Sequence, residues 1–462
     1  MPSSPLDSAL FRDMFGTPEM RAVFSDEALV SRYIEVEVAL ARAEARCGII
    51  PAEAAEHIAA AGADPHLDWD RLKRETENVG YPILPLVHQL AERAGEAGRY
   101  VHWGATTQDI MDTASVLQLR AALDLVGADI DALRNILTEL ALRHRDTPMA
   151  GRTHLQQALP VTFGYKAAIW LAAMDRHAER LAQLRPRVLV GQFAGAAGTL
   201  ASLGEDGFRV QETLCQELGL DQPVITWHVA RDGLAEAVAF LGLVTGTLAK
   251  VATDIMLMMS TEFGGEVMEP FVKGRGASST MPQKRNPISS EIMLATAKAV
   301  RQQVALVLDA MVQDFERATG PWHLEWMALP ESFMLTASCL HQARFALSGL
   351  TVDVGRMRAN LDLSGGLIVA EAVMMAAAPA LGRQHAHDLV YDACRAALTS
   401  GRPLADALMD CPEVVQALGG RDGIERRCDP ANYLGLAPQM VDRVLAMRGS
   451  LDDARHPDAS AA

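Results

Sequence analysis

The chain reads as an all-α protein built around a bundle of long helices, and three features of its sequence predict this. Val116, Leu119, Leu123, Val126, Ile130, Leu133, Leu137 and Leu140 follow alternating steps of three and four, an apolar stripe held over more than three heptads. Residues 235–259 (AEAVAFLGLVTGTLAKVATDIMLMM) are apolar on nearly every face, so other helices must surround them. The composition agrees, being 49% hydrophobic and 5% aromatic, with abundant Ala, Leu, Val and Met.

Residues 29–47 (LVSRYIEVEVALARAEARC) are amphipathic and predict a helix that ends before Gly48; Pro51 opens a shorter one to Ala61. Residues 75–85 (ETENVGYPILP) carry Gly80, Pro82 and Pro85 and are expected to form a loop. The heptad stripe predicts a helix about 37 Å long at roughly 1.5 Å per residue. Further long helical patterns run at about 162–185, 232–262, 288–315 and 327–358. Beyond residue 358, GRQHAH, the Gly419-Gly420 pair and Pro430 punctuate shorter helices. The expected layout is an N-terminal helical domain (1–112), a central long-helix bundle (113–357) and a small helical C-terminal domain (358–450). Residues 451–462 (LDDARHPDASAA) are expected to be a disordered tail. There is no internal repeat and no low-complexity linker.

The formal net charge of −16 argues against nucleic acid and anionic membrane surfaces as partners. An anionic ligand must then be held by a local cluster of donors rather than by the overall field. Six scattered cysteines without CxxC spacing read as free thiols of a reducing compartment. The start, MPSSPLDSALF, has no basic region followed by an apolar stretch, so no secretory signal is expected. The most apolar stretch, residues 238–249, is read as too short to span a bilayer. A soluble, cytoplasmic protein is expected.

Chemistry concentrates in residues 274–291 (GRGASSTMPQKRNPISSE). Glycines, two Ser-Ser pairs and an Asn-Pro pair predict a mobile loop, and Lys284, Arg285 and Asn286 give it donors for an anion. Such a loop suits a lid closing on an anionic substrate. It offers hydroxyls, amides and cations, with no metal cluster and no Cys/His pairing. That kit suits removal of a proton next to a carboxylate, where the charge spreads onto the carboxylate oxygens as an aci-carboxylate. No cofactor and no metal is implied.

The core of that stretch, Ser278-Ser279-Thr280-Met281-Pro282-Gln283-Lys284-Arg285-Asn286-Pro287, resembles the SSxMPxKxNP signature loop of the fumarase/aspartase superfamily. Ala277 stands where that family usually has glycine. Residues 151–164 (GRTHLQQALPVTFG) match the family's GRTHxQxAxPxTxG segment, with Gln156 on the pattern and Gln157 at a variable position. Residues 102–109 (HWGATTQD) resemble HxGxTSxD, with Thr107 in place of the serine.

The resemblance implies a role for each residue. Ser278 is the base, its alkoxide stabilised by loop amides and cations. Ser279, Lys284 and Asn286 bind a substrate carboxylate. Thr106 and Thr107 bind a carboxylate near a helix N-terminus. Thr153, His154 and Gln156 are expected on a loop before a helix; Thr153 and Gln156 contact substrate, while His154 assists a leaving group or orients a water. Glu291 pairs with His154, raising the imidazole pKa and fixing its tautomer. Arg317 holds a carboxylate, and Arg231, in TWHVARD with Trp227 and His228, lines the pocket. Read from residue type alone, the Ser-Ser pair equally shapes a turn, the threonines an ST-turn and helix cap, and Glu291 a solvated helix start.

The segments RVLVGQFAGAAGTLASLG, WHVARD, ATGPWHLEW and LDLSGGLIVAEAV resemble one branch of the superfamily, the bacterial 3-carboxy-cis,cis-muconate cycloisomerases. These close a tricarboxylic diene to a lactone. His154 and Glu291 are present, and Gln283 replaces a histidine frequent in that branch. Those features point instead to a C–N lyase or epimerase acting on an N-substituted aspartate or related succinate through fumarate. An inactive structural homologue is a third reading, opposed by the intact Ser278, His154, Lys284, Asn286 and Glu291. The resemblance further implies a homotetramer with a twenty-helix core, each site built from three subunits, and a small polycarboxylate substrate.

Overall fold

The structure, a computed structural model, describes residues 4–317 and 319–455. It is all-α apart from two small two-stranded sheets among the described residues. Five long helices, Thr107–Arg143, Phe163–Val188, Asp232–Met259, Ile288–Ala310 and Pro321–Ser348, dominate it. All eight residues of the heptad stripe are buried, seven of them at 0–1% exposure, so the period read from sequence is the period of the core-facing stripe.

The chain divides into two compact units, residues 1–130, 177–249 and 292–341, and residues 131–176, 250–291 and 342–462. In the first, Asp26–Arg46 packs with Ala52–Ala63 and Gly207–Leu218 over a core that includes Leu40, Ile83, Leu86, Ile110, Leu117 and Phe193. Ser25 starts Asp26–Arg46, its hydroxyl accepting the Ala28 N–H at 3.2 Å. The second unit buries Val373, Leu404, Leu408, Val414 and Ile424 among short C-terminal helices, and Ala150, Leu361 and Val369 beside them.

Several expectations need correction. Residues 75–85 are not a loop: Trp69–Val79 and Ile83–Ala94 are helices separated by three residues. Gly80 ends the first at φ +89°, where a Cβ would be strained, and Pro85 sits in the first turn of the second, where proline is tolerated. The 288–315 pattern stops at Ala310. The 327–358 pattern starts earlier, at Pro321, and breaks at Ser348. Thr351–Val352 then pairs antiparallel with Val267–Met268, and Asp353 caps a separate helix, Val354–Leu361, by accepting the Arg356 N–H at 2.8 Å. The apolar stretch 238–249 belongs to a 28-residue helix, which by length and composition is enough to cross a bilayer. More than half of that helix's apolar window is nevertheless buried within the chain, as in the core helix of a bundle. Of the expected tail, residues 451–455 continue the helix Ala437–Arg455, and residues 456–462 lie outside the described residues.

Candidate active site

The first unit holds the threonine pair. Thr107 opens the helix Thr107–Arg143, and Thr106 precedes it with its carbonyl accepting the Asp109 N–H at 3.0 Å. Asp109 returns the contact, its carboxylate accepting the Thr106 N–H at 2.9 Å, a reciprocal cap of the helix start. The same carboxylate, wholly buried, accepts the N–H of Ala194 at 3.0 Å and of Gly195 at 2.9 Å, and meets His228 Nε2 at 2.8 Å. One side chain therefore ties two distant segments to the helix N-terminus, where the dipole favours an anion. The Arg317 guanidinium donates to the Thr106 hydroxyl, so two residues assigned to carboxylate binding meet in this unit.

Arg231 is placed differently. It is 2% exposed, and its guanidinium donates to Asp112 at 2.7 and 2.9 Å and to Glu325 at 2.6 and 2.8 Å. It also lies over the Trp227 ring at 4.9 Å. Its donors are engaged inside the fold, as are those of Trp227, whose indole N–H reaches the Gly191 carbonyl at 2.9 Å. TWHVARD is thus a packed joint under the threonine pair rather than a set of free pocket donors.

His102, at φ +61°, pairs through Nδ1 with the buried Glu37 carboxylate at 2.6 Å. Burial opposes charge on the ring, but Glu37 outweighs it, so His102 titrates above its ordinary value. Glu44, two helical turns beyond Glu37, is fully buried with neither carboxylate oxygen hydrogen-bonded. Burial, and then the Glu37 charge, pushes its carboxyl up to about 9, so it stays protonated at neutral pH.

The second unit holds the other two segments. Residues 151–162 are not a loop before a helix but most of a β-hairpin, Pro148–Thr153 paired with Gln156–Thr162. His154 and Leu155 form its two-residue turn, both at positive φ (52° and 60°), the backbone that a tight hairpin turn demands. Thr153, His154 and Gln156 are consequently exposed at the tip. Gly151 is required lower down, because a Cβ there would meet the Leu159 carbonyl at 2.7 Å. Arg152 anchors the hairpin by a two-pronged contact with buried Glu266 at 2.6 and 2.9 Å. Gln157, the glutamine off the pattern, turns inward and donates to the Asn360 carbonyl at 2.7 Å.

The signature segment has a closed stem and an open tip. Ala277 and Arg285 form a β-bridge, and the Asn286 N–H reaches the Gly276 carbonyl at 2.9 Å. Gly276, at φ +69°, has no room for a Cβ, which would meet the Asn286 carbonyl oxygen at 2.5 Å. Ala277, the departure from the family pattern, lies outside the positive-φ set and so carries its methyl without backbone strain. Glu269 pins the stem, its carboxylate accepting the N–H groups of Ser289 (3.1 Å) and Ser290 (2.9 Å) and the Ser290 hydroxyl (2.7 Å). Arg275 donates to Ser289 Oγ at 2.6 Å and to Gln342 at 2.7 Å. Arg285 is drawn into the stem as well, donating to the Glu269 carbonyl at 2.7 Å.

At the tip, Ser278 Oγ accepts two backbone N–H groups, Met281 at 3.0 Å and Thr280 at 3.2 Å. Ser279, Lys284 and Glu291 are exposed and Asn286 is half-buried. No hydrogen bond or ion pair joins the Glu291 carboxylate to the His154 ring among the described residues, and the Lys284 ammonium likewise forms no ion pair. Sequence reading missed Glu37, Glu44, Asp109, Glu269 and Arg275. Glu37, Asp109, Glu269 and Arg275 take their place from partners brought in by the fold, Glu44 is enclosed without one, and only the capping pattern Thr106-x-x-Asp109 carried a local signal.

Comparison with known proteins places these segments in context. A family profile described as "Lyase" matches residues 14–302, and one described as "Adenylosuccinate lyase C-terminus" matches residues 366–444. The chain is 50% identical over 439 residues to trans-aconitate decarboxylase 1 of Mycosarcoma maydis, covering 95% of this chain and 89% of that protein. It is 41% identical to an N-acetyl-S-(2-succino)cysteine lyase of Dickeya dadantii, covering 96% and 98%. The crystal structure of the 3-carboxy-cis,cis-muconate lactonizing enzyme of Pseudomonas putida superposes with a TM-score of 0.90 at 44% identity, covering 95% of this chain and 98% of that one.

Proposed function

The chain belongs to the lyase family of the fumarase/aspartase superfamily and is an enzyme of that superfamily, and from this premise we propose that it removes a proton next to a carboxylate of a di- or tricarboxylic acid with Ser278 as the base. The observation that carries the reading is the pair of backbone N–H groups on Ser278 Oγ. Donors fixed on an oxygen favour its deprotonated form, and they do so without reorganising when the charge appears. A serine with two such donors on a polar tip is better prepared as an alkoxide base than a serine in solution.

In this reading Ser278 Oγ takes the proton from carbon, and the electron pair moves onto the neighbouring carboxylate as an aci-carboxylate. Lys284, Asn286 and Ser279 hold that carboxylate. Thr106, Thr107 and Arg317 hold a second one at a helix N-terminus. The reaction then resolves in one of two ways. In a cycloisomerisation of the 3-carboxymuconate type, the C–O bond of a lactone is broken or made within one molecule. In an elimination, a group leaves the β-carbon and a fumarate-type diacid remains, with His154 delivering the proton and Glu291 sustaining the imidazolium. The likeness to the muconate enzyme supports the first; the succinocysteine lyase, together with the presence of His154 and Glu291, supports the second. We take cycloisomerase-like chemistry as the leading reading, a lyase or epimerase on a substituted succinate as the alternative, and an inactive homologue as the reading to be eliminated.

Exposed Thr153, His154, Gln156, Lys284 and Glu291 support sites completed by neighbouring chains, and thus the homotetramer. The three-domain layout (1–112, 113–357, 358–450) and a cytoplasmic location belong to the same reading. The purified protein should be incubated with 3-carboxymuconate, with trans-aconitate and with N- and S-succinylated substrates, while the ultraviolet absorbance of conjugated diacids is followed. Turnover of one of these, lost in Ser278→Ala, is expected. No turnover of any polycarboxylate would favour the inactive homologue. A monomer by mass measurement in solution would contradict shared sites.

A further inference from the structure

We propose that the first unit carries a second binding site, for a small organic ammonium with an aromatic or flat apolar body, in a cavity of about 390 Å³ lined by Tyr33, Asp112, Trp322, Glu325 and Trp326. The volume falls in the range of small-molecule pockets. None of these lining residues has a role in the reaction proposed above, so the site stands apart from that reading.

The walls come first. Trp322 and Trp326 meet edge to face with centroids 5.1 Å apart, and Tyr81 stacks on Trp322 at 5.6 Å, which fixes the pair as a rigid aromatic surface. Trp322 is buried, whereas Trp326 is 37% exposed and forms part of the mouth. Aromatic faces attract cations, most strongly where water is excluded.

Charge selects the same class of ligand. Three carboxylates line the cavity, Asp112 and Glu325 in its depth and exposed Asp26 at its rim, and no Lys, Arg or His lines it. Arg231 grips both Asp112 and Glu325 without itself lining the cavity. One guanidinium thus serves two of the three carboxylates and none among the described residues serves Asp26, which leaves the lining short of positive charge. An anion, including the polycarboxylate of the reaction, is disfavoured there.

Tyr33 supplies an independent mark of a ligand. It is 3% exposed, yet its hydroxyl makes no hydrogen bond among the described residues. The hydroxyl oxygen is not sealed in the core but opens onto the cavity, where a ligand or a water can partner it. Burial first, and then Asp112 and Asp26, keeps the proton on the phenol. A neutral phenolic oxygen beside carboxylates accepts an N⁺–H well, so a ligand ammonium would satisfy Tyr33 and the surplus negative charge together.

The probe is 2-phenylethylammonium, titrated into the full-length protein by calorimetry and by quenching of tryptophan fluorescence, with 3-phenylpropanoate and 2-phenylethanol as anionic and neutral comparators. Saturable binding is expected, tighter than that of the anion by roughly tenfold or more. Trp326→Ala, at a partly exposed position, and Tyr33→Phe, which keeps the ring, should each weaken it by roughly threefold or more. Ser278→Ala should bind as the wild type does, whether or not the proposed reaction is found. Absence of saturable binding, equal binding of the anion, indifference to both pocket variants, or loss of binding in Ser278→Ala would overturn the proposal.

Discussion

The helix start at Thr106 and the tip at Ser278 both carry hydroxyls proposed to face the substrate, yet they are built in opposite ways. Around Thr106 the capping carboxylate is buried and fully partnered: Asp109 alone receives two N–H groups from residues 194–195, one from Thr106, and a histidine. Around Ser278 the support is confined to the stem, where Glu269, Arg275 and Arg285 are engaged, while Ser279, Lys284 and Glu291 stand exposed. One region is preorganised by the chain's own packing. The other has its backbone set while its charged side chains stand exposed. Preorganisation should therefore appear as stability in the first region and as turnover in the second.

The largest expected effect lies at the tip. Ser278→Ala should lower kcat by roughly 10²–10⁴-fold, the usual scale for losing a positioned base, while the melting temperature and substrate binding hold. A large fall in melting temperature would blur the comparison, since the tip would then be structural too.

Asp109→Ala probes the opposite region. It strands three N–H groups and His228 in a buried place, and should destabilise the fold by about 3–5 kcal/mol in denaturant unfolding. A change below about 1 kcal/mol would mean that the helix start is not held by this residue.

Glu44→Gln should move stability the other way. A carboxyl raised to about 9 in the fold contributes stability that is complete below its unfolded value of about 4.5 and is lost as pH rises toward 9. Removing the ionisable group should leave stability near pH 4 unchanged and raise it at pH 8, by about 1–3 kcal/mol. Equal stability of variant and wild type at pH 8 would contradict the burial of an unpaired acid.

A smaller effect attends His102. Its pKa is raised, so the contribution of the Glu37–His102 pair is full below about 6.5 and fades as pH rises through the raised value. Melting curves of the wild type and His102→Gln should converge as pH increases above neutrality. Divergence with rising pH would reverse the assigned sign.

Much of this was legible in the sequence where the signal was periodic. The stripe from Val116 to Leu140 fixed the face of the 107–143 helix, because a repeat of three and four has one helical meaning. Proline and glycine were harder to read. In residues 75–85 they mark the end of one helix and the first turn of the next, so punctuation was mistaken for a loop. His154 was recognised by its motif, but the hairpin turn that exposes it was not, since His-Leu carries no turn preference of its own. Glu37, Glu269 and Arg275 were invisible because their meaning depends on long-range partners: Glu37 meets His102, 65 residues away, and Arg275 meets Gln342, 67 away.

The central claim is that the Ser278 oxygen removes a proton from carbon. It is tested most directly by following, by nuclear magnetic resonance in deuterated water, exchange at the carbon next to the substrate carboxylate. The wild type should exchange or incorporate deuterium there, and Ser278→Ala should bind the same acid yet leave that position unlabelled. Undiminished labelling by the variant would assign the base to another group and contradict the account.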